Sequence, residues 1–334
     1  MKIIKAVPFN SYHFVDYHLS FIDKLFIKPR YEQYEQLGSN KRMFDEDFAR
    51  IFLRPLSRRN GKLFNIESNN DALAQKLFGN IKKRYDSHHI DETVRELVEQ
   101  IAQSLICFGS AYYFLHDTFD QEEIYIESFR PIGVFRFFKM YFQWVPRRSE
   151  RYSDSDGKVL CRELRILDKA KLMRFNMPKS INRILYKQNR LLVALDKHAF
   201  DASGFLPQTT RENPNPKNDF DFRIWRDTQD QLLYRATHAT GWNGRKYDSS
   251  KRSDFFDCHR LIRFRRNQLI LRDHILHQLG NEFTRVGRQY DAKFHVAIST
   301  TNVLPKVSEL DDLEAQLSKE EISFNEALNF CFER

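Results

Sequence analysis

The feature that most limits what this chain can fold into is a change of apolar period at Gly109. Before it, Val94, Leu97, Val98, Ile101, Leu105 and Phe108 recur at the spacing that puts them on one helical face, and the glycine ends the run. After it, the segments SAYYFLHD, EEIYIESF, GVFRFFKMYFQWV, KVLCRELRIL and KLMRFNM are parted by polar turns and carry the aromatic and β-branched residues that suit strands. A helix followed by a run of short strands belongs to the α+β class. The spacing predicts an antiparallel meander, with Asp154–Lys158 (DSDGK) as a hairpin turn.

The rest of the chain is read around that junction. The first sixty residues suggest irregular helices and connections ending in a basic turn at Arg54–Lys62, and a helix is expected over Ile66–Tyr85 with Leu73, Leu77 and Ile81 on one face. Asp91 is the expected N-cap of the helix that ends at Gly109. Beyond the strands, Ile181–Ala199 reads as helix, and residues 203–254, rich in Gly, Pro, Asn and Asp, read as surface loops around one short helix near Phe222–Tyr234. From Phe255 to Arg288 a long arginine-rich helix is expected, because Ile262, Leu269, Leu276 and Phe283 repeat every seventh residue. The strand AKFHVAIST and two short helices follow, each helix opening on a capping box, Ser308 with Asp311 and Ser323 with Glu326. The organisation read from this is a mostly helical region 1–90, a helix and antiparallel strand core 91–202, a loop-rich insertion 203–254, and a basic helix, strand and acidic helices 255–334.

Charge narrows the choice of partner. The 334 residues carry a net charge of +9, which favours polyanions through counterion release. Residues 251–288 have a net charge of +5 and residues 305–334 a net charge of −5. Opposed poles of this kind suit head-to-tail contact between copies of one chain, the alternative being two unrelated solvated faces. On the long helix Arg263, Arg265, Arg266 and Arg272 are the expected polyanion contacts, with Arg266 the most exposed by helical angle. A second stretch interleaves aromatics with cations: Phe135, Arg136, Phe137, Phe138, Tyr141, Phe142, Trp144, then Arg147 and Arg148, the last two being further expected contacts. Those rings can stack on bases, while alternating aromatics are also what a half-buried strand requires. The turn GWNGRKYDSSKR around Trp242 mixes the same residue types and reads either as a nucleic-acid or subunit contact or as a plain exposed turn.

Residue patterns that carry chemistry are few. The phosphate-cradling patterns G-x-x-x-x-G-K-[ST] and G-x-G-x-x-G are absent. His274 and His277 stand three apart with Cys258 and His259 upstream, but that pair falls about four turns earlier on the same rod, so packed thiols and surface histidines are the simpler account. Asp154 or Asp156 followed by Glu163, Leu164 and Arg165 is a faint nuclease pattern in which arginine stands for lysine. Ser110 lacks a G-x-S-x-G context. The expectation is a protein without catalytic residues, metal or cofactor. Cys107, Cys161, Cys258 and Cys331 are spread without a C-x-x-C pair, as reduced thiols of a cytoplasmic protein are, and no apolar run approaches the roughly 20 residues that span a bilayer.

The order of these segments resembles the phage portal proteins, in particular the shorter portals of contractile-tailed temperate phages. Leu105, Gly109, Ala111 and Tyr112 match a helix-to-strand segment of that family, with Ser110 in place of its asparagine. Pro131, Tyr141, Trp144, Val145 and Pro146 are similar to a segment ending in Trp-Val-Pro, and KLMRFNMP is similar to a strand that precedes a proline. Phe264, Arg266, Asn267, Leu269, Ile270, Asp273, Ile275, Leu279, Gly280 and Glu282 are similar to the family's late helix. The blocks span residues 90–300. KSINRILYKQN replaces the Gly-Leu-Ser-Pro-like segment after the third block, and residues 203–254 have no counterpart. The resemblance implies a self-assembled ring through which double-stranded DNA passes, driven by a separate packaging motor, in host cytoplasm or virion. The alternatives are a basic DNA- or RNA-binding subunit of a cellular complex, such as one of anti-phage defence, and a metal-dependent nuclease.

Overall fold

Both elements that meet at Gly109 are formed, and the glycine sits between them in the left-handed conformation, φ 78°. A computed structural model describes residues 1–10, 19–27, 39–52, 62–82, 89–117, 124–149, 159–212, 222–245 and 253–333. In chain order the elements are β1 (Lys2–Lys5), α1 (Phe21–Phe26), α2 (Ser39–Ala49), β2 (Phe64–Ser68), α3 (Asp71–Gly79), α4 (Ile90–Phe108), β3 (Ser110–Asp117), β4 (Ile124–Phe129), β5 (Val134–Phe137), β6 (Met140–Val145), β7 (Arg148–Ser149), β8 (Val159–Leu160), β9 (Glu163–Leu167), β10 (Leu172–Asn176), α5 (Lys179–Glu212), α6 (Phe222–Ala236), α7 (Asp254–Gly287), β11 (Val296–Thr300), α8 (Val307–Ser318) and α9 (Phe324–Glu333). The class is α+β. The chain divides into one unit of Met1–Glu35, Lys62–Asn176 and Asp273–Thr301, and another of Gln36–Gly61, Met177–Arg272 and Asn302–Arg334.

All the described strands belong to the first unit. They do not form the single meander expected from their spacing. β5, β6 and β9 pair antiparallel, β1 joins β9 in parallel with Lys2 opposite Glu163, and β10 returns to β3 to complete the separate sheet β10-β3-β4. The break between the sheets falls at Pro131–Gly133. Gly133 has φ +72°, and a Cβ there would lie 2.5 Å from the Trp144 carbonyl oxygen, so a side chain is excluded at the start of β5. β7 pairs with β8, Ser149 opposite Val159, while the expected DSDGK turn, like most of Arg54–Lys62, lies outside the described residues. β2 replaces the first part of the helix expected over Ile66–Tyr85: Phe64 and Ile66 alternate with polar residues and pair with β11, and Asn70 then caps α3 by accepting from the Leu73 N–H. α4 starts one residue before Asp91, whose carboxylate accepts from the Leu63 N–H (2.9 Å) instead of capping.

Buried aromatics fill this unit. Tyr112, Phe114, Phe129, Tyr141, Leu167 and Leu172 make one cluster, and Ile27, Ile132 and Trp144 centre another. A polar clamp holds the N-terminal segment to the second cluster. Asp23, 2% exposed, accepts from Trp144 Nε1 (2.9 Å) and Arg162 Nε (3.0 Å) and forms a capping box with Ser20. Burial alone would raise the Asp23 pKa, but the bonds from Arg162, Ser20 and Trp144 together hold it below the usual carboxylate value. Gln143, fully buried, exchanges two hydrogen bonds with the Phe9 backbone. The second half of α7 completes the unit: Leu276 and Phe283 are buried, Phe283 stacks on Phe78 (4.3 Å), and Arg285 donates to the carbonyls of Lys169, Ala170 and Leu172.

The second unit is helical throughout its described elements. α5 runs on to Glu212, so residues 203–212, expected as loop because of Gly204 and Pro207, continue a helix that earlier turns have already nucleated. α6 spans the short helix expected at Phe222–Tyr234. Asp196 on α5 accepts from the Asn40 and Lys41 N–H groups (3.0 and 2.9 Å) and so satisfies the start of α2. The heptad positions Ile262 and Leu269 of α7 pack with Leu310, Leu313 and Leu317 of α8 and with Ala327 and Cys331 of α9. The Ser323–Glu326 capping box is present; the Ser308–Asp311 box is not, because Lys306 is the N-cap and Asp311 is bound to Arg266.

Candidate nucleic-acid interface

The arginines of α7 are largely consumed inside the second unit. Arg272 is 1% exposed and Arg265 4%, too deep to reach a phosphate. Arg265 Nη1 donates to Gln268 Oε1 (2.6 Å) and to the Ile51 carbonyl (3.2 Å), and Gln268 Nε2 donates to the carbonyls of Asp47 and Arg50 (2.9 and 3.0 Å), closing the otherwise unsatisfied end of α2. Arg263 is half-buried and donates to the His238 carbonyl (3.1 Å). Arg266, expected to be the most exposed, is half-buried and bridges Asp311 (2.8 Å) and Glu314. Helical angle on one rod does not reveal that α8 lies across that face.

His259 also meets Glu314 (3.1 Å). Burial of Glu314 is outweighed by its bonds to Arg266 and His259, which hold its pKa below the usual value. The basic helix and the acidic C-terminal segment therefore neutralise each other within one chain at these residues, rather than being left wholly for a neighbouring copy.

The Trp242 turn is likewise inward. Trp242 is 2% exposed and its Nε1 donates to Asp47 (2.8 Å), while Arg245 clamps Asp47 (2.6 Å) and Glu46 (3.1 Å). Arg260, 3% exposed, donates to Thr237 Oγ1 (2.8 Å) and to the Trp242 carbonyl and lies over the Tyr234 ring (4.3 Å). A cavity of about 470 Å³ beside this turn is lined by Arg50, Arg245, Arg260 and Arg265 but also by Glu46, Asp47 and Asp257, so its wall has no strong charge preference.

The zinc-like and nuclease-like patterns gain no support. Among the described residues no group of three or more His, Cys, Asp or Glu is placed to hold a metal. Cys258 and Cys331 are core residues whose thiols burial pushes up to about 11 and about 12, while Cys161 is exposed. Glu163 is bound by Arg165 (2.8 Å), and Asp154 and Asp156 lie outside the described residues.

The cationic aromatic stretch divides in two. Tyr141, Phe142 and Trp144 are buried, as a half-buried strand requires. The tip of the β5–β6 hairpin is not: Arg136 to Met140 are all exposed, Phe137 at 58% and Phe138 at 80%. Phe137 pairs with Met140, which leaves Phe138 and Lys139 as the turn, both at positive φ (46° and 65°). Two-residue turns of this hand favour Asn-Gly, so Phe-Lys carries no turn signal here. From Ser128 to Ser149 there is no acidic residue, while Arg130, Arg136, Lys139, Arg147 and Arg148 are basic. Arg136 lies over the Tyr141 ring (5.8 Å) and Arg147 is exposed; Arg148 falls in β7, where the description stops at its backbone. Of the expected contact residues, Arg147 thus stands exposed on the strand-bearing unit, and Arg136 and Lys139 join it. No protein-family model matches the chain, and no curated protein matches it.

Proposed function

We propose that the chain is a portal-like structural protein, a subunit that assembles with copies of itself and guides double-stranded DNA without acting on it chemically. One observation carries this reading. The first three segments that resemble portals, Leu105–Tyr112, Pro131–Pro146 and the strand β10, fall in one compact unit, and the late-helix segment joins the same unit from Asp273 onward although residues 177–272 intervene. The second half of the late helix thus returns to the core that the contiguous stretch 105–176 builds, while its first half, Phe264–Ile270, belongs to the other unit.

The same unit exposes large apolar side chains in its N-terminal segment, Met1, Ile3 and Val7 at β1 and Phe21, Ile22 and Leu25 at α1, which supports assembly. Native mass spectrometry of the full chain tests the reading: rings or higher oligomers are expected, with DNA affinity indifferent to sequence and falling steeply with salt. A strict monomer at high concentration in low salt removes the ring. The second reading, a basic nucleic-acid-binding subunit of a cellular complex, is favoured by KSINRILYKQN and residues 203–254 of the helical unit, where the portal pattern is lost. It is the reading left standing if a monomer still binds DNA.

A further inference from the structure

We infer that the tip of the β5–β6 hairpin is a contact for single-stranded nucleic acid, with Phe137 and Phe138 stacking on unpaired bases and Arg136 and Lys139 meeting phosphates. This rests on the choice of nucleic acid as partner made above, but it requires no ring and names a strand rather than a duplex.

Two independent observations point to the tip. The first is its backbone. Phe138 and Lys139 both hold positive φ, a conformation that is unfavourable for a residue with a bulky side chain and that Asn-Gly adopts readily. A turn chosen for stability would not carry a phenylalanine and a lysine. The second is charge with exposure: five consecutive residues, Arg136 to Met140, face solvent in a stretch with no carboxylate from Ser128 to Ser149.

The order along the tip matches the chemistry of a strand. Cation, ring, ring and cation succeed one another in Arg136, Phe137, Phe138 and Lys139, as phosphates and π faces alternate along a single strand. The two rings stand 4.4 Å apart in an edge-to-face arrangement, which leaves ring faces open to a base. Below them the hairpin is anchored: Phe135 stacks on Phe142 (5.6 Å), and Trp144 is tied to Asp23. A rigid stem carrying an exposed aromatic turn is suited to presenting rings at little further entropy cost.

The test uses the full chain, a labelled oligothymidylate and fluorescence anisotropy. Phe137→Ala with Phe138→Ala is expected to weaken binding about tenfold or more. Phe138→Asn with Lys139→Gly relieves the turn, so its melting temperature is expected to rise while its affinity falls, a combination that loss of folding cannot produce. Unchanged affinity in both variants overturns the inference. So does a tip-dependent affinity for the matching duplex that equals or exceeds that for the strand, or tip-dependent binding to phosphatidylserine vesicles with none to the strand. Native mass is measured on the same samples: loss of oligomers in the alanine variant with strand binding intact makes the tip a subunit contact and overturns the inference. A monomeric wild type that binds the strand through the tip supports it while removing the ring.

Discussion

The two units use their cations in opposite ways. In the helical unit Arg260 and Arg265 are buried and engaged with carbonyls and a glutamine, and Arg266 is tied to two carboxylates. In the strand-bearing unit Arg136 and Lys139 stand on an exposed hairpin beside exposed rings. Net charge therefore says little about where a polyanion would bind: the basic residues of the first half of α7 are mostly structural, and those of the hairpin are accessible. A guanidinium suits the first role because its donors can satisfy several buried acceptors at once.

Arg260 is where removal of a buried cation should be felt most. Arg260→Ala leaves the buried Trp242 carbonyl and Thr237 hydroxyl short of a donor and is expected to cost about 3 kcal/mol in urea unfolding, with nucleic-acid affinity per folded molecule unchanged. A clear fall in that affinity would put α7 back in the interface. The corresponding residue of the other unit is Asp23. Asp23→Ala strips Trp144 and Arg162 of their acceptor and is expected to cost about 2 kcal/mol and to shift tryptophan emission to longer wavelength.

Acid separates the two units further. Asp45, buried beside Lys41, has its pKa raised to about 6 from 3.8, chiefly by burial, against the pull of Lys41. Its protonated form is the one that folding favours, so its stabilising contribution is fully present below pH 3.8 and is lost as pH rises through about 6. Asp23 has the opposite sign. Its pKa is lowered from 3.8, so its contribution is present above that value and is lost as pH falls through the lower folded value. Asp45→Asn is expected to flatten the melting temperature between about pH 4 and 6 relative to wild type, and Asp23→Asn to flatten it only below about pH 4. The reverse assignment in a pH series would contradict both environments. The smallest effect is at Arg266, half-buried and paired with carboxylates of α8. Arg266→Ala is expected to cost about 1 kcal/mol and to leave the salt dependence of nucleic-acid binding untouched.

Much of this fold is legible in the sequence wherever one periodicity rules. The seven-residue repeat from Ile262 to Phe283 places α7 to within a residue or so at each end, and Gly109 marks the junction of α4 and β3. Features decided by distant partners are not legible in that way. β1 is four residues long and exists because it lies beside β9, a parallel partner far along the chain. Asp311 has the spacing of a capping residue but is held by Arg266. The exposure expected of Arg266 follows from angle on an isolated rod, and α8 changes it. At the hairpin tip the aromatic and cationic residues are visible in the sequence, but a Phe-Lys turn has no local signature, so neither the turn nor the exposure of Phe138 can be read in advance.

The division of cations between the two units is tested most directly by the slope of log affinity against log salt for a single-stranded oligonucleotide. Arg136→Ala with Lys139→Ala is expected to reduce that slope by about 1.4, roughly 0.7 for each phosphate that goes unpaired on a single strand, with no change in melting temperature. Arg263→Ala with Arg266→Ala is expected to leave the slope as it is and to lower the melting temperature. A slope that falls in the α7 variant and holds in the hairpin variant would contradict that division.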